Sequence, residues 1–241
     1  MSDNHWKEIW ESREDKLSHI DKKDKKAVFL ELKRIDGFDV LEGGLSYEAL
    51  EAQYQETKNA LCLRSGDSVF EVGCGCGANL YLFHEDGFKI GGLDYSETLV
   101  GIMKKIFTDT PPQECICGSA DHLPTDIKYD AVFSNSVFSY FPDYAYASRV
   151  LERMAEKAHS CIGVLDIHDK EKEAAFLEYR MKNVPDYKER YKGLPKFFYE
   201  KSFFTDFATT HNMSIEFSES RMEGYWNNEF VFHCFLYRHY N

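Results

Sequence analysis

Hydrophobic and polar positions change texture twice along the chain. Over residues 1–60 the apolar positions fall at helical spacing: Trp6, Ile9 and Trp10, then Leu17, then Val28, Leu30 and Leu32, then Tyr47, Leu50 and Tyr54. Gly37, Gly43 and Gly44 break that pattern. From Asp67 onward, short apolar runs alternate with amphipathic stretches. Strands are predicted over 68–72, 88–93, 114–117, 129–134 and 161–167, and helices over 78–85, 96–107 and 144–158, with Ser96 as an N-cap. After Asp169 the texture shifts again. A charged helix over 170–182 leads into an aromatic, turn-rich stretch that ends at Phe197-Phe198-Tyr199. A helix over 202–210 and strands over 213–217 and 230–237 follow, the strands separated by the turn-forming run Gly224-Tyr225-Trp226-Asn227-Asn228.

Strand and helix alternating five times predicts a Rossmann-like, doubly wound α/β fold with a mostly parallel sheet covered on both faces. Right-handed crossovers fix most of its topology, and ligands of such sheets bind beyond the carboxyl ends of the strands. The expected organisation is an N-terminal helical cap over 1–60 and a core over 61–241, with 171–200 as a lid or substrate insertion.

The chain has 241 residues and a net charge of −12. At 43% hydrophobic and 15% aromatic residues it has ample material for a packed core, which excludes a disordered chain. No apolar run approaches the roughly 20 residues that span a bilayer, so no membrane partner is expected. The N-terminal MSDNHWKEIWESRED has no apolar signal region, and a cytoplasmic location is the expectation. Acidity disfavours phosphate backbones; the lysines of Asp21-Lys22-Lys23-Asp24-Lys25-Lys26 alternate with aspartates and read as a solvated helix start. Seven cysteines, an odd number, read as free thiols. Their C-x-C spacings differ from the usual C-x₂-C of a zinc knuckle, so no metal is expected; Cys115 and Cys117 read as alternate positions on a buried strand.

The strongest local signal is Phe70-Glu71-Val72-Gly73-Cys74-Gly75-Cys76-Gly77. Alternate glycines after a buried strand let the backbone turn sharply and approach a ligand closely. Gly73 to Ala78 also satisfies the G-x-G-x-x-A fingerprint, and Asp94 stands nineteen positions beyond Gly75. The loop alone therefore leaves NAD(P) and other adenosine cofactors open.

Four segments in order resemble the class I S-adenosylmethionine-dependent methyltransferases, over roughly residues 60–170. Glu71 to Gly77 resembles the acidic glycine-rich first motif, and Gly92-Leu93-Asp94-Tyr95-Ser96 the second. Gly118-Ser119-Ala120-Asp121-His122-Leu123-Pro124 resembles the third, and 129–137 the fourth strand and its exit. The resemblance implies S-adenosylmethionine as cofactor, with S-adenosylhomocysteine as product, and an antiparallel C-terminal edge strand. It further implies a cofactor site of Glu71, Gly73, Cys74, Gly75, Gly77, Asp94, Tyr95, Ala120, Asp121, His122 and Asn135. In it Glu71 orients the loop or the methionine amino group, Asp94 accepts from both ribose hydroxyls, Tyr95 walls the adenine and Asp121 reads the adenine amine. An NAD(P)-dependent oxidoreductase leaves the Asp121 segment unexplained. A non-catalytic adenosine-binding partner subunit leaves all three acids without a role.

For the acceptor, the exits of the fourth and fifth strands offer Asn135, Ser139, Tyr140 and His168. His168 is the candidate base, against its reading as a packing histidine; Asp166 and Asp169 read as caps of the next helix. The aromatic density near the expected mouth suggests a lid that includes Trp10, Tyr54 and Tyr199. An Asn/Asp-Pro-Pro-aromatic motif is absent after strand four, where Ser134-Asn135-Ser136-Val137 stands. With the acidic charge, this favours transfer to an oxygen or nitrogen of a small molecule, and no nucleic acid.

Overall fold

Each of the five predicted strand segments forms, and the helices between them pack the sheet from both sides. The computed structural model describes residues 5–38, 40 and 44–239; Gly43, one of the predicted breaks, lies outside them. Strands β1 (Ser68–Val72), β2 (Lys89–Asp94), β3 (Glu114–Cys117), β4 (Tyr129–Asn135) and β5 (Ala158–His168) are joined by parallel pairings. Two later strands, β6 (Met213–Glu219) and β7 (Val231–Arg238), complete a seven-stranded sheet in the order β3-β2-β1-β4-β5-β7-β6. The last strand β7 is antiparallel to both neighbours and lies one position in from the edge, with β6 outside it.

The helices in chain order are α1 (His5–Glu11), α2 (Lys25–Ile35), α3 (Tyr47–Ala60), α4 (Ala78–Glu85), α5 (Glu97–Ile106), α6 (Tyr144–Lys157), α7 (Glu173–Asn183), α8 (Tyr187–Arg190) and α9 (Lys201–Thr210). Their starts follow the sequence: Asp24, Ser46, Ser96 and Asp143 each accept a backbone N–H from the first turn of the helix they precede. On one face α2 to α5 bury Phe29, Leu32, Ile35, Leu80, Phe83 and Met103 against the sheet. On the other, α6 and α9 bury Val150, Met154, Phe204 and Phe207 against Phe70, Val132 and Ile162. Burial of side chains this size, at about 25 cal/mol per Å² of apolar area, supplies the main stabilisation.

Two expectations are corrected here. Strand β3 is the sheet's edge rather than a buried strand, which leaves Cys115 half-buried and Cys117 exposed. Asp166 does not cap a helix: it is buried within β5 at φ 56° and accepts hydrogen bonds from Ser136 Oγ at 2.6 Å and Tyr225 OH at 2.9 Å. Asp169 does cap, accepting from the Glu171 N–H at 2.9 Å.

Candidate active site

The exits of β1, β2, β4 and the β3 loop surround a cavity of about 890 Å³, near the upper end for small-molecule sites. Its floor is the glycine loop. The N–H groups of Gly73 and Cys74 both donate to Leu93 O, at 2.7 and 3.0 Å, and so tie the loop to the end of β2. Gly73, Gly75 and Gly77 all have positive φ, between 55° and 85°, where a side chain is strained. A Cβ on Gly73 would lie 2.4 Å from Val137 Cγ2, and one on Gly75 2.2 Å from Asp36 Oδ1. Gly73, Cys74 and Gly75 line the cavity. Gly77 instead begins α4 against Met103 and Phe107, so its freedom serves helix packing.

Asp94 ends β2 with its carboxylate buried on the cavity wall. Oδ2 accepts from Gly75 N and Oδ1 from Ser96 N, each at 2.9 Å. Each oxygen keeps a second lone pair for a ligand hydroxyl. Burial pushes this carboxyl above its ordinary range, against the pull of those N–H donors. Glu71 is still deeper. Its Oε1 accepts from Asn79 Nδ2 at 2.6 Å, while the buried Oε2 has no hydrogen-bond partner among the described residues. Burial raises the Glu71 carboxyl well above the usual range and lowers the nearby Lys33 ammonium, which donates to Asn79 Oδ1 at 2.6 Å. Asp36, accepting from Cys76 N at 2.8 Å, is pushed up to about 6 by burial. Lys33 and Asp36 both line the cavity, yet neither was selected from sequence, because alone each reads as a solvated helix charge.

At the other end the wall is made by Cys117, Gly118, Ser119, Ala120, Phe141 and Tyr146. Here the sequence expectation shifts. Asp121 does not line the cavity: a 3-10 turn over Ala120–His122 carries its carboxylate away, where Ser119 Oγ donates to it at 2.6 Å and Arg149 Nη2 at 3.3 Å. His122 is on the surface, its side chain 82% exposed. Ser119, which also lies 2.9 Å from the Tyr146 hydroxyl, is the polar group on this wall.

Tyr95, Asn135 and Tyr140 line the cavity. His168 does not. Its ring is buried between Phe176 and Phe198, with centroids 4.9 and 5.1 Å away. Burial drives its pKa well below the usual imidazole value, so it is a neutral packing residue.

The roof comes from two distant segments. Trp6 and Trp10 of α1 meet the Tyr140 ring edge-on, at 4.7 and 5.9 Å, and Trp6 Nε1 donates to Pro195 O at 3.2 Å. At the far end of α1, Glu11 accepts from the Glu97 and Thr98 N–H groups at the start of α5, at 3.0 and 3.1 Å. Thus α1 straddles the cavity and is held at both ends. Trp10 is a roof residue, whereas Tyr54 and Tyr199 are not. Tyr54 packs on Phe83 and donates to Asp86, and Tyr199 is a core residue whose hydroxyl donates to Phe138 O. The segment after α8 reaches the roof only through Gly193, Pro195, Lys196 and Phe197.

The model of a family described as a methyltransferase domain matches residues 69–160. Over residues 69–160 the chain is thus similar to a methyltransferase domain. The demethylmenaquinone methyltransferase of Bacillus mycoides is 29% identical over 128 residues, which is 50% of this chain and 54% of that protein. The chain thus spans about half the length of this curated relative. Magnesium protoporphyrin IX methyltransferase from Synechocystis, solved with S-adenosylhomocysteine, superposes with a TM-score of 0.61 at 17% identity, over 80% of this chain and 85% of that one. The small RNA methyltransferase HEN1 superposes at 0.59 and 16% identity, over 82% of this chain and 26% of its own. At these identities the structures establish the fold alone. Its strand order also differs from the 3-2-1-4-5-6 order of dinucleotide-binding folds by the antiparallel strand beside β5.

Proposed function

We propose that this protein transfers a methyl group from S-adenosylmethionine to an oxygen or nitrogen of a small molecule. The observation that carries the reading is one roofed cavity with a charged, glycine-floored end and an aromatic end. Its residues fit the cofactor. The unpartnered Glu71 Oε2 suits the methionine ammonium, and Lys33 its carboxylate. Spare lone pairs on Asp94 suit the ribose hydroxyls, and Ser119 with Phe141 and Tyr146 suits the adenine. When bound, the cofactor supplies a methyl on a sulfonium, already activated for in-line displacement.

The chain's own part is then positioning. The ridge Val137 to Tyr140 leaves β4 beside Asn135, and a hydrogen bond from Ser136 to buried Asp166 fixes that exit. Asn135 and Tyr140 orient the acceptor from this wall, and α1 excludes water from above. A roof latched at both ends favours acceptors small enough to be enclosed, and this supports a small molecule over a polynucleotide.

Calorimetric titration with S-adenosylhomocysteine and with NAD tests the cofactor, and a small-molecule acceptor screen that detects S-adenosylhomocysteine release tests the reaction. Saturable binding of NAD without S-adenosylhomocysteine would reverse the reading.

A further inference from the structure

Two lysines of this chain are buried and a third, Lys196, is half-buried, and they differ in what surrounds their ammonium groups. Lys157 Nζ has three acceptors: Glu114 Oε2 at 2.7 Å, Pro124 O at 2.9 Å and Ile127 O at 3.1 Å. Lys33 donates to Asn79 and faces the Glu71 and Asp36 carboxylates. Lys196 stands on the cavity wall, and its Nζ donates to one neutral partner, Ser139 Oγ, at 3.2 Å. Its next contacts are rings, with Asp166 and Arg180 outside ion-pair distance. Nζ is 3.4 Å from the Tyr140 centroid and 4.9 Å from that of Trp6. An ammonium has three N–H donors, so two of them have no hydrogen-bond acceptor among the described residues. No carboxylate there forms an ion pair with it.

A half-buried ammonium with one neutral hydrogen-bond partner and no carboxylate within ion-pair distance is costly to hold, and what faces it here is ligand space. Lys196 bonds to the same short turn, Phe138–Tyr140, that follows the β4 exit. We propose that Lys196 recognises the methyl acceptor, and that the acceptor carries a carboxylate on a flat apolar body. The carboxylate oxygens accept hydrogen bonds from the two free Nζ–H groups, and the body lies against Tyr140, Trp10 and Phe197. This rests on the methyl-transfer reading and adds the acceptor's chemical class to it.

The test uses the whole chain saturated with S-adenosylhomocysteine, titrated calorimetrically with 4-hydroxybenzoate and with its uncharged analogue 4-hydroxybenzamide. The wild type binds the carboxylate about 30-fold or more tightly than the amide, the scale for a desolvated charge pair. Lys196→Met abolishes that preference, Lys196→Arg retains part of it, and S-adenosylhomocysteine binds all three proteins alike. Equal affinity for the two probes in the wild type, no binding of the carboxylate, or a preference that survives Lys196→Met would each overturn the proposal while leaving the cofactor reading intact. Failure of S-adenosylhomocysteine to bind the wild type would remove the methyl-transfer reading, and this proposal with it.

Discussion

Replacing Lys196 by methionine should make the unliganded protein more stable, although it harms recognition of an acidic acceptor. Burial pulls the Lys196 ammonium from its ordinary 10.5 to about 7, with Arg180 adding repulsion and Asp166 only partly offsetting it. Each factor of ten in proton affinity corresponds to about 1.4 kcal/mol, so keeping the charge costs the fold roughly 4–5 kcal/mol at full desolvation. The side chain keeps some contact with cavity solvent, which reduces the expected gain to about 2–4 kcal/mol. Methionine preserves the packed stem against Trp6 and Tyr140 without the charge. The pH dependence fixes the sign. Between about 7 and 10.5 the unfolded chain holds a proton on Lys196 that the folded chain has released, so wild-type stability rises with pH across that window. The variant lacks this contribution. Urea unfolding of both proteins at pH 7 and near pH 10 measures the difference, and contributions from other groups cancel in it. A variant no more stable than wild type at pH 7, or a difference that does not shrink as pH rises, refutes the reasoning.

Other outcomes follow from the same geometry. Gly73→Ala drives a Cβ into Val137 at φ 74° and should weaken S-adenosylhomocysteine binding by tenfold or more. Adding Val137→Ala should recover part of that loss and leave the roughly 1–2 kcal/mol of backbone strain; calorimetry on both variants separates the two terms. Asp94→Ala removes the acceptor for the Gly75 and Ser96 N–H groups together with the proposed ribose contact. It should cost about 2–4 kcal/mol in cofactor affinity, and undiminished binding would show that this carboxylate serves the loop alone. His168→Phe should change kcat/KM by less than about threefold, against the 10²–10⁴ expected for loss of a general base; a larger effect with unchanged melting temperature would restore His168 to the chemistry.

The inner strands β1, β4 and β5 were legible because they are largely buried on both faces and so appear as apolar runs. The predicted and observed limits of β1, β3 and α4 coincide. Glu71, Gly73 and Asp94 were legible because a tight turn at the end of a strand leaves few alternatives. The errors share a cause: the placement of a side chain by a local turn does not show in residue spacing. Asp121 stands two residues past the wall position because a 3-10 turn rotates it toward Arg149. His168 ends β5 but pairs with Val231 and is overlaid by Phe176 and Phe198. Lys33, Asp36 and Lys196 were missed for the opposite reason. Each comes from a segment outside the motif region, and their convergence on one cavity is a property of packing.

The insertion of β7 between β5 and β6 has a consequence for biogenesis. During synthesis every other strand leaves the ribosome before β7 does, so until then the flank of β5 is an open template of unpaired N–H and C=O groups, and β6 has no strand to join. The nascent chain must therefore wait for residues 231–238 before its sheet can close. Stalling or truncation just upstream of them would leave a sticky half-sheet, prone to capture by chaperones or by its own kind.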